Sequence, residues 1–287
     1  MSDSGSQLSG SPLGIICGGG SLPFAVAEAA IRQGRPVVLF ALRGHADTGR
    51  VAAYRHHWMA IGQYGRFRRI AREEGIRDIV AVGSVVRPAL SQVRIDLATL
   101  RLLPKVYALY RGGDNFLLSG LAKIGEEDGF HILGAHEIAP DILVPEGPVG
   151  RYQPAERDRA DIARGLALIS AIGAFDIGQA AVVADNHVLA VEAIEGTDHM
   201  LSRVADLRRI GRIRAPHGTG VLVKAPKPGQ ERRVDLPSIG PKTVDGAKRA
   251  GLAGVAVVAG SAIIAEPQEV AAAADRAQIF VVGVASP

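Results

Sequence analysis

The chain has 287 residues, of which 47% are hydrophobic and 22% charged, so it is long enough for two modest soluble domains. Its single cysteine, Cys17, excludes a disulfide framework, and its apolar surroundings predict a buried, inert thiol. No apolar run reaches the ~18–20 residues of a membrane-spanning helix, and the polar N-terminus lacks a signal-peptide core, so we expect a cytoplasmic protein. The net charge of +4 indicates an anionic partner and leaves nucleic acid, a membrane face and a phosphorylated small molecule open.

The N-terminal region starts with a Ser- and Gly-rich segment, residues 1–12, which we expect to be a flexible tail. Leu13–Cys17 then predicts a strand, residues 18–20 a tight turn, and residues 23–33 a helix with Pro in its first turn. Backbone N–H groups and the helix dipole converge at such a turn, where they can bind a phosphate. The candidate substrate contacts in this turn are Gly19, Gly20, Ser21 and Leu22.

The same turn matches the fingerprint of a nicotinamide dinucleotide site poorly. Pro23 stands where that fingerprint has its third glycine, and the strand predicted at residues 36–41 is followed by Leu42 and Arg43 rather than by an acid. We therefore favour a substrate-contacting or purely structural turn over a dinucleotide site.

Strands and helices continue to alternate through the first half of the chain. The pattern predicts helices at residues 63–74, 99–110 and 115–128, and strands at residues 78–82 and 130–133. This alternation predicts an α/β, Rossmann-like first domain, residues 13–139, with a mostly parallel sheet. Gly83 follows a strand directly, at the edge where open α/β sheets bind ligands. Arg87 in that loop is a candidate phosphate contact, with an exposed surface arginine as the alternative.

Residues 140–155 contain four prolines and two glycines without periodicity, and they predict a linker with a cleft between two domains. The second α/β domain, residues 156–287, is predicted to carry the catalytic groups. Its predicted helices are at residues 158–172, 198–207, 242–250 and 267–277, and its predicted strands are at residues 179–184, 187–191, 221–223, 254–259, 262–265 and 278–284. Asp185 and Asn186 are typical of a two-residue hairpin turn.

Three carboxylates, Glu192, Glu195 and Asp198, fall within seven residues at a predicted junction between a strand and a helix. Thr197 is placed to cap that helix, which is a sufficient structural explanation of the sequence. Because Mg²⁺ prefers oxygen ligands, the same junction is also a candidate cation site. The arginine run that follows is more typical of a solvated helix face than of a lipid-phosphate contact.

Residues 220–240 join a predicted buried strand to a loop that is dense in charge. The loop and the strand end hold four cations and two acids, Lys224, Lys227, Arg232, Arg233, Glu231 and Asp235. Since Pro226 and Pro228 fix backbone angles, we expect a rigid loop that aims a carboxylate at a bound anion. The alternative is a solvated basic loop in which Asp235 only caps the next helix.

The motif at residues 224–240 is Lys-Ala-Pro-Lys-Pro-x-Gln-Glu-x-Arg-Val-Asp-Leu-Pro-x-Ile-Gly. Five further motifs precede it: Gly18-Gly19-Gly20-Ser21-Leu22-Pro23, Gly83-Ser84-Val85-Val86-Arg87-Pro88, Gly134-Ala135-His136-Glu137, Asp176-Ile177-Gly178-Gln179 and Val191-Glu192-Ala193-Ile194-Glu195-Gly196-Thr197-Asp198. In this order, over residues 13–284, they resemble the LpxI-type UDP-2,3-diacylglucosamine pyrophosphatases of lipid A biosynthesis.

The resemblance implies that Asp235 is the essential aspartate and that Mg²⁺ is the cofactor. It implies a reaction in which water attacks the β-phosphorus of UDP-2,3-diacylglucosamine and releases UMP and lipid X. The implied partner is thus a glycolipid nucleotide rather than nucleic acid, and its two acyl chains need an apolar receptor, for which we expect the cleft between the domains. Peripheral contact with the inner membrane surface and a homodimer both stay open.

Pyrophosphate cleavage needs neutralised oxyanions, a positioned water and a stabilised leaving group. The candidate catalytic residues are Asp235, Lys224, Lys227 and Arg233. The candidate metal ligands are Asp235, Glu192, Glu195 and Asp198. Substrate contacts outside the glycine turn are Arg87, Gln179 and Thr197. An unperturbed aspartate, with a pKa of about 3.9, suits metal binding or water orientation better than strong base catalysis. A nicotinamide-dependent oxidoreductase and a non-catalytic nucleotide-sugar-binding protein remain as alternatives.

Overall fold

The structure is a computed structural model that describes residues 10–85, 93–110 and 114–286. The chain forms two compact units, the first ending at Ala139 and the second beginning at Pro140. None of the described helices combines the length and the apolar character that a membrane crossing requires.

The first unit is built on a parallel sheet with the strand order β3-β2-β1-β4-β5. The chain changes direction across the sheet between β1 and β4, which is where sheets of this kind leave room for ligands at the carboxyl edge. The strands are β1 (Leu13–Cys17), β2 (Val37–Leu42), β3 (His56–Met59), β4 (Asp78–Val82) and β5 (His131–Leu133). The predicted α/β class and the parallel sheet are therefore confirmed.

The helices of the first unit connect successive strands or follow them. They are α1 (Leu22–Arg32), α2 (Thr48–Val51), α3 (Tyr64–Glu73), α4 (Leu97–Tyr110), α5 (Asp114–Glu127) and α6 (Ala135–Ile138). Phe40 of β2 packs edge-on against Phe67 of α3, with 4.7 Å between the ring centroids. Cys17 is fully buried, as expected, and burial raises the pKa of its thiol to about 11.

A buried ion pair fixes the amino edge of this sheet. Asp78, at the start of β4, is bonded by the guanidinium of Arg35, and both side chains are almost completely buried. His131, at the start of β5, places its Nδ1 3.0 Å from the second carboxylate oxygen of Asp78. Because buried charges are tolerated only when they are paired, these contacts hold the starts of β2, β4 and β5 together.

The second unit has a mixed sheet with the strand order β6-β13-β11-β9-β7-β8 and a separate parallel pair, β10 and β12. Strands β13, β11 and β9 are parallel, whereas β6, β7 and β8 pair antiparallel with their neighbours. The strands are β6 (Gly147–Pro148), β7 (Ala180–Ala184), β8 (His187–Val191), β9 (Val221–Lys224), β10 (Ser238–Ile239), β11 (Gly254–Val258), β12 (Ile263–Ile264) and β13 (Phe280–Val284).

Helices cover both faces of this sheet. They are α7 (Glu156–Ile172), α8 (Gly196–Arg209), α9 (Pro241–Arg249) and α10 (Pro267–Ala277). Val221 and Val223 pack in the cluster that includes α7, whereas Leu222 packs in the cluster that includes α8, α9 and α10. Since side chains alternate along a strand, Lys224 points to the same face as Leu222, toward α8.

The segment that we expected to be a linker, residues 140–155, lies within the second unit. It forms a 3-10 turn at Pro140–Ile142 and the edge strand β6, which pairs with β13. Val144 is buried and exchanges backbone hydrogen bonds with Gly260 and Ala262. The prolines fit this position because an edge strand does not need every N–H group for pairing.

The other predicted helices and strands agree with the structure to within two residues at either end. The predicted hairpin turn is confirmed, with Asp185 and Asn186 at φ values of 49° and 62°. The carboxylate of Asp161 accepts both of their N–H groups, at 3.1 and 2.7 Å. The elements missing from our prediction, namely α2, α6, β3, β6 and β10, are short and lack a hydrophobic period.

Candidate functional site

A buried lysine lies at the carboxyl end of β9. Lys224 is the last residue of this strand and is only 4% exposed. Its Nζ donates to Thr197 Oγ1 at 3.0 Å and to the carbonyl of Ser238 at 2.9 Å. Burial lowers the pKa of Lys224 below its ordinary value, and the nearby carboxylates of Glu192, Asp198 and Asp235 act in the opposite direction. The ammonium group of Lys224 is therefore near enough to three of the four candidate metal ligands for their charges to raise its pKa.

Thr197 links this ammonium group to Glu192. The Thr197 hydroxyl accepts from Lys224 and donates to Glu192 Oε1 at 3.0 Å. Our prediction that Thr197 caps α8 is wrong, because the helix begins at Gly196 and its N-cap residue is Glu195, which makes no side-chain cap. The hydroxyl is instead used between two buried charged groups, where an unbonded polar atom would cost free energy.

The four candidate metal ligands have different surroundings. Glu192 is buried and bonded to Thr197, whereas Glu195 pairs with Arg203, whose Nη2 lies 2.7 Å from Glu195 Oε1. Among the described residues, no group of three or more His, Cys, Asp or Glu side chains could hold a metal ion. Mg²⁺ nevertheless often binds through one or two carboxylates and substrate phosphates, so the oxygen donors of Asp198 and Asp235 are chemically suited to it.

The loop after β9 holds Asp235 through a buried glutamine. Gln230 is 7% exposed, and its Nε2 donates to Asp235 Oδ2 and lies 3.4 Å from Gln179 Oε1. Its own Oε1 accepts the backbone N–H of Lys227 at 2.8 Å. One amide thus joins the two ends of the loop to Gln179, which fixes the direction of the Asp235 carboxylate.

Lys227 and Pro228 fasten the same loop to the segment that precedes β7. The ammonium of Lys227 pairs with Asp176, a residue in the left-handed conformation with φ of 55°. Pro228 packs directly on Gly173, where a Cβ atom would lie only 2.4 Å from the proline ring. The expectation of a rigid loop is supported by these contacts, because both sides of the turn are held by side chains.

Arg233 lies between Glu231 and Asp235 in sequence and forms a two-bond pair with Glu231. Its Nε and Nη2 donate to the two oxygens of Glu231, each at 2.9 Å. These hydrogen bonds lower the pKa of Glu231 below its usual value, against the opposite effect of burial. Arg232 is not bonded to Glu231; its Nη2 donates to the carbonyl of Gly260 at 2.7 Å.

In the first unit, the glycine turn pairs with the loop after β4. Gly19 and Ser84 exchange backbone hydrogen bonds of 2.8 and 2.9 Å, and Gly83 has φ of 101° and a position where a Cβ atom would lie only 2.7 Å from the Gly19 carbonyl oxygen. Ser21 precedes α1 without a side-chain cap, so Gly20, Ser21 and Leu22 stand at the start of that helix, the end that favours anions. Arg87 lies outside the described residues.

Sequence reasoning did not select Asp176, Gln230 or the carbonyl of Ser238, although each bonds a selected side chain. Asp176 and Gln230 lie in the motifs that resemble the family, so the sequence indicated that these positions matter. Their roles did not follow from the sequence, because a glutamine inside a charged loop has no local pattern that predicts its partner.

Comparison with known proteins covers nearly the whole chain. Residues 12–142 match the model of the LpxI N-terminal domain, and residues 145–282 match that of the LpxI C-terminal domain. The chain belongs to the LpxI family. A curated protein of Caulobacter vibrioides named UDP-2,3-diacylglucosamine pyrophosphatase LpxI is 43% identical over 272 residues, which is 95% of this chain and 97% of that protein. In this LpxI-family chain, the site around Lys224 and Asp235 lies wholly within the C-terminal domain match.

Replacing Thr197 by Val keeps the side-chain shape and removes the hydroxyl between Lys224 and Glu192. We expect the free energy of unfolding to fall by about 1–3 kcal/mol, since two buried polar groups each lose a hydrogen bond. Urea denaturation measures this change. Thr197→Ser is the control, because it retains the hydroxyl and should stay closer to the parent chain. A Val variant as stable as the Ser variant would contradict the proposed link.

Proposed function

We propose that this chain hydrolyses the pyrophosphate bond of UDP-2,3-diacylglucosamine in lipid A biosynthesis, with Mg²⁺, and releases UMP and 2,3-diacylglucosamine 1-phosphate. The observation that carries this proposal is the Asp235 carboxylate, held by Gln230 in a loop with Lys227 and Arg233. The family membership and the name of the Caulobacter vibrioides relative support the substrate.

In this proposal, Lys227 and Arg233 neutralise the pyrophosphate. Both side chains are held at the loop by carboxylates, Asp176 and Glu231, which fix their positions before substrate binds. An ammonium group has three hydrogen-bond donors and a guanidinium group has five. Each cation can therefore donate to a phosphate oxygen and stay bonded to its carboxylate. Prepositioned cations stabilise the charge that develops as the anhydride bond breaks.

Asp235, together with Asp198 and the phosphate oxygens of the substrate, would hold the Mg²⁺ ion. When bound, such an ion withdraws charge from the phosphoryl group and lowers the pKa of a bound water. Glu192 and Glu195 are not assigned to it, because they are bonded to Thr197 and Arg203. Lys224 has a positioning role in this proposal, since its ammonium offsets the mutual repulsion of Glu192, Asp198 and Asp235.

The proposed reaction forms one bond and breaks one. The oxygen of water bonds to the β-phosphorus, and the bond from that phosphorus to the bridging oxygen breaks, so the bridging oxygen leaves with UMP. Asp235 is the carboxylate that Gln230 fixes in direction, and it is suited to orient the attacking water. The proton of that water passes to a carboxylate or to solvent.

The variant Asp235→Asn tests the proposed site directly. The amide keeps the size of the side chain and an oxygen for Gln230, but it removes the negative charge. We expect UMP release from UDP-2,3-diacylglucosamine to fall on the order of 100-fold or more, as for other groups that act on the transition state. Product formation is measured with Mg²⁺ and again with a chelator.

Glu195→Gln is the matched control for the loss of one acidic charge, because Glu195 pairs with Arg203. It should retain most of the parent activity. Full activity of Asp235→Asn would refute the assigned site, and full activity in chelator would refute the Mg²⁺ requirement while leaving the hydrolysis intact.

Lys227→Gln and Arg232→Gln form a second pair, since each removes one positive charge from the same loop. Lys227 is largely buried beside Asp176, whereas Arg232 is exposed and bonded to a carbonyl. We expect kcat/KM for the same substrate to fall at least about tenfold for Lys227→Gln, the loss of one charge-assisted hydrogen bond, and to change little for Arg232→Gln. Equal effects of the two changes would mean that only the net charge of the loop matters.

A further inference from the structure

A pocket of about 250 Å³ lies at the other edge of the sheet of the second unit. Parallel strands β9, β11 and β13 start at this edge, and the residues just before each of them line the pocket. Lys224 stands at the far end of β9, which at about 3.3 Å per residue is roughly 10 Å away. The pocket is therefore separate from the site around Lys224 and Asp235, and the proposed hydrolysis does not use it.

A buried carboxylate in this pocket lacks one hydrogen bond. Asp158, near the start of α7, is 4% exposed, and its Oδ2 accepts the N–H of Ala155 at 2.9 Å. Its Oδ1 is buried and has no hydrogen-bond partner among the described residues, although it forms a long ion pair of 3.7 Å with Nε of the exposed Arg157. A buried acceptor without a donor costs about 1–3 kcal/mol, so Oδ1 is a position where a ligand N–H group would be stabilised.

The rest of the lining is suited to an anion with a flat apolar part. Leu252 and Phe280 are buried in the floor, whereas Tyr152, His217 and Lys248 are exposed at the rim. Lys248 adds a positive charge, and His217 adds ring nitrogens that can bond a phosphate. An aromatic ring beside aliphatic side chains favours a planar group.

The rim is held in place by a buried arginine. Arg208 of α8 donates through Nη1 to the carbonyl of Pro216 at 3.1 Å and through Nη2 to the carbonyl of Thr219 at 2.9 Å. The backbone of Gly218 donates to the carbonyl of Gly251 at 2.9 Å, which joins two lining segments. The loop that carries His217 is thus fixed without a ligand, and a preformed pocket binds more tightly because less ordering is required.

We propose that this pocket is a second binding site, for a nucleoside monophosphate. The base donates an N–H group to Asp158 Oδ1 and lies over Leu252 and Phe280, while the phosphate contacts Lys248 and His217. The pocket volume of about 250 Å³ is just below the roughly 300–1,000 Å³ of sites for drug-sized ligands, which fits one nucleotide rather than a larger cofactor.

Calorimetric titration of the full chain with AMP, GMP and CMP tests this proposal; UMP is left out because it is a product of the proposed hydrolysis and would also bind the site around Asp235. We expect saturable binding of at least one of them, with a Kd below about 1 mM. Asp158→Asn keeps an oxygen for the N–H of Ala155 and turns an NH₂ group toward the ligand, so it should raise the Kd about 10- to 100-fold. Lys248→Gln, an exposed change that does not endanger folding, should raise the Kd at least about threefold.

Two further variants locate the binding. Lys123→Gln removes an exposed charge from the first unit and should leave the Kd unchanged. Asp235→Asn should also leave it unchanged, because Asp235 belongs to the other edge of the sheet. The proposal is overturned if none of the three nucleotides binds, if Asp158→Asn and Lys248→Gln bind like the parent chain, or if Asp235→Asn abolishes binding. None of these outcomes depends on whether the chain hydrolyses UDP-2,3-diacylglucosamine.

Discussion

The ammonium of Lys224 is buried at the end of β9, and burying a charge costs several kcal/mol unless neighbouring groups stabilise it. Those neighbours define the candidate site: the hydroxyl of Thr197, the carbonyl of Ser238 and the carboxylates of Glu192, Asp198 and Asp235. They come from α8, β10 and the loops beside them, which are far apart in sequence. A single charge therefore constrains how these elements meet, because all three carboxylates act on the same cation.

Much of the fold could be predicted from the sequence, because its helices and longer strands have clear hydrophobic periods. The parallel sheet of the first unit follows from strands that alternate with helices. The position of residues 140–155 within the second unit could not be predicted from the sequence, because prolines and glycines are compatible both with a linker and with an edge strand such as β6. Short elements such as β3 were missed because His56 and His57 resemble a loop as much as a strand.

The candidate site was predictable as a set of residue types and much less as a set of contacts. A lysine after an apolar run is typical of the start of a solvated loop. Lys224 is instead the last residue of β9, and its side chain is buried on the same face of the sheet as Leu222. Likewise, Thr197 has the sequence position of a helix cap, but its hydroxyl links the buried groups of Lys224 and Glu192. In both cases a tertiary contact decided the role of the side chain, and local spacing does not encode such contacts.

The most direct test of this account is the pKa of Lys224, measured by NMR titration of the protein with ¹³C-labelled lysine side chains and assigned by comparison with Lys224→Met. The account predicts that the Lys224 ammonium titrates below the exposed lysines, since burial lowers its pKa more than the three carboxylates raise it. A Lys224 signal that titrates at the ordinary value of a solvated lysine would contradict the buried charge on which the candidate site depends.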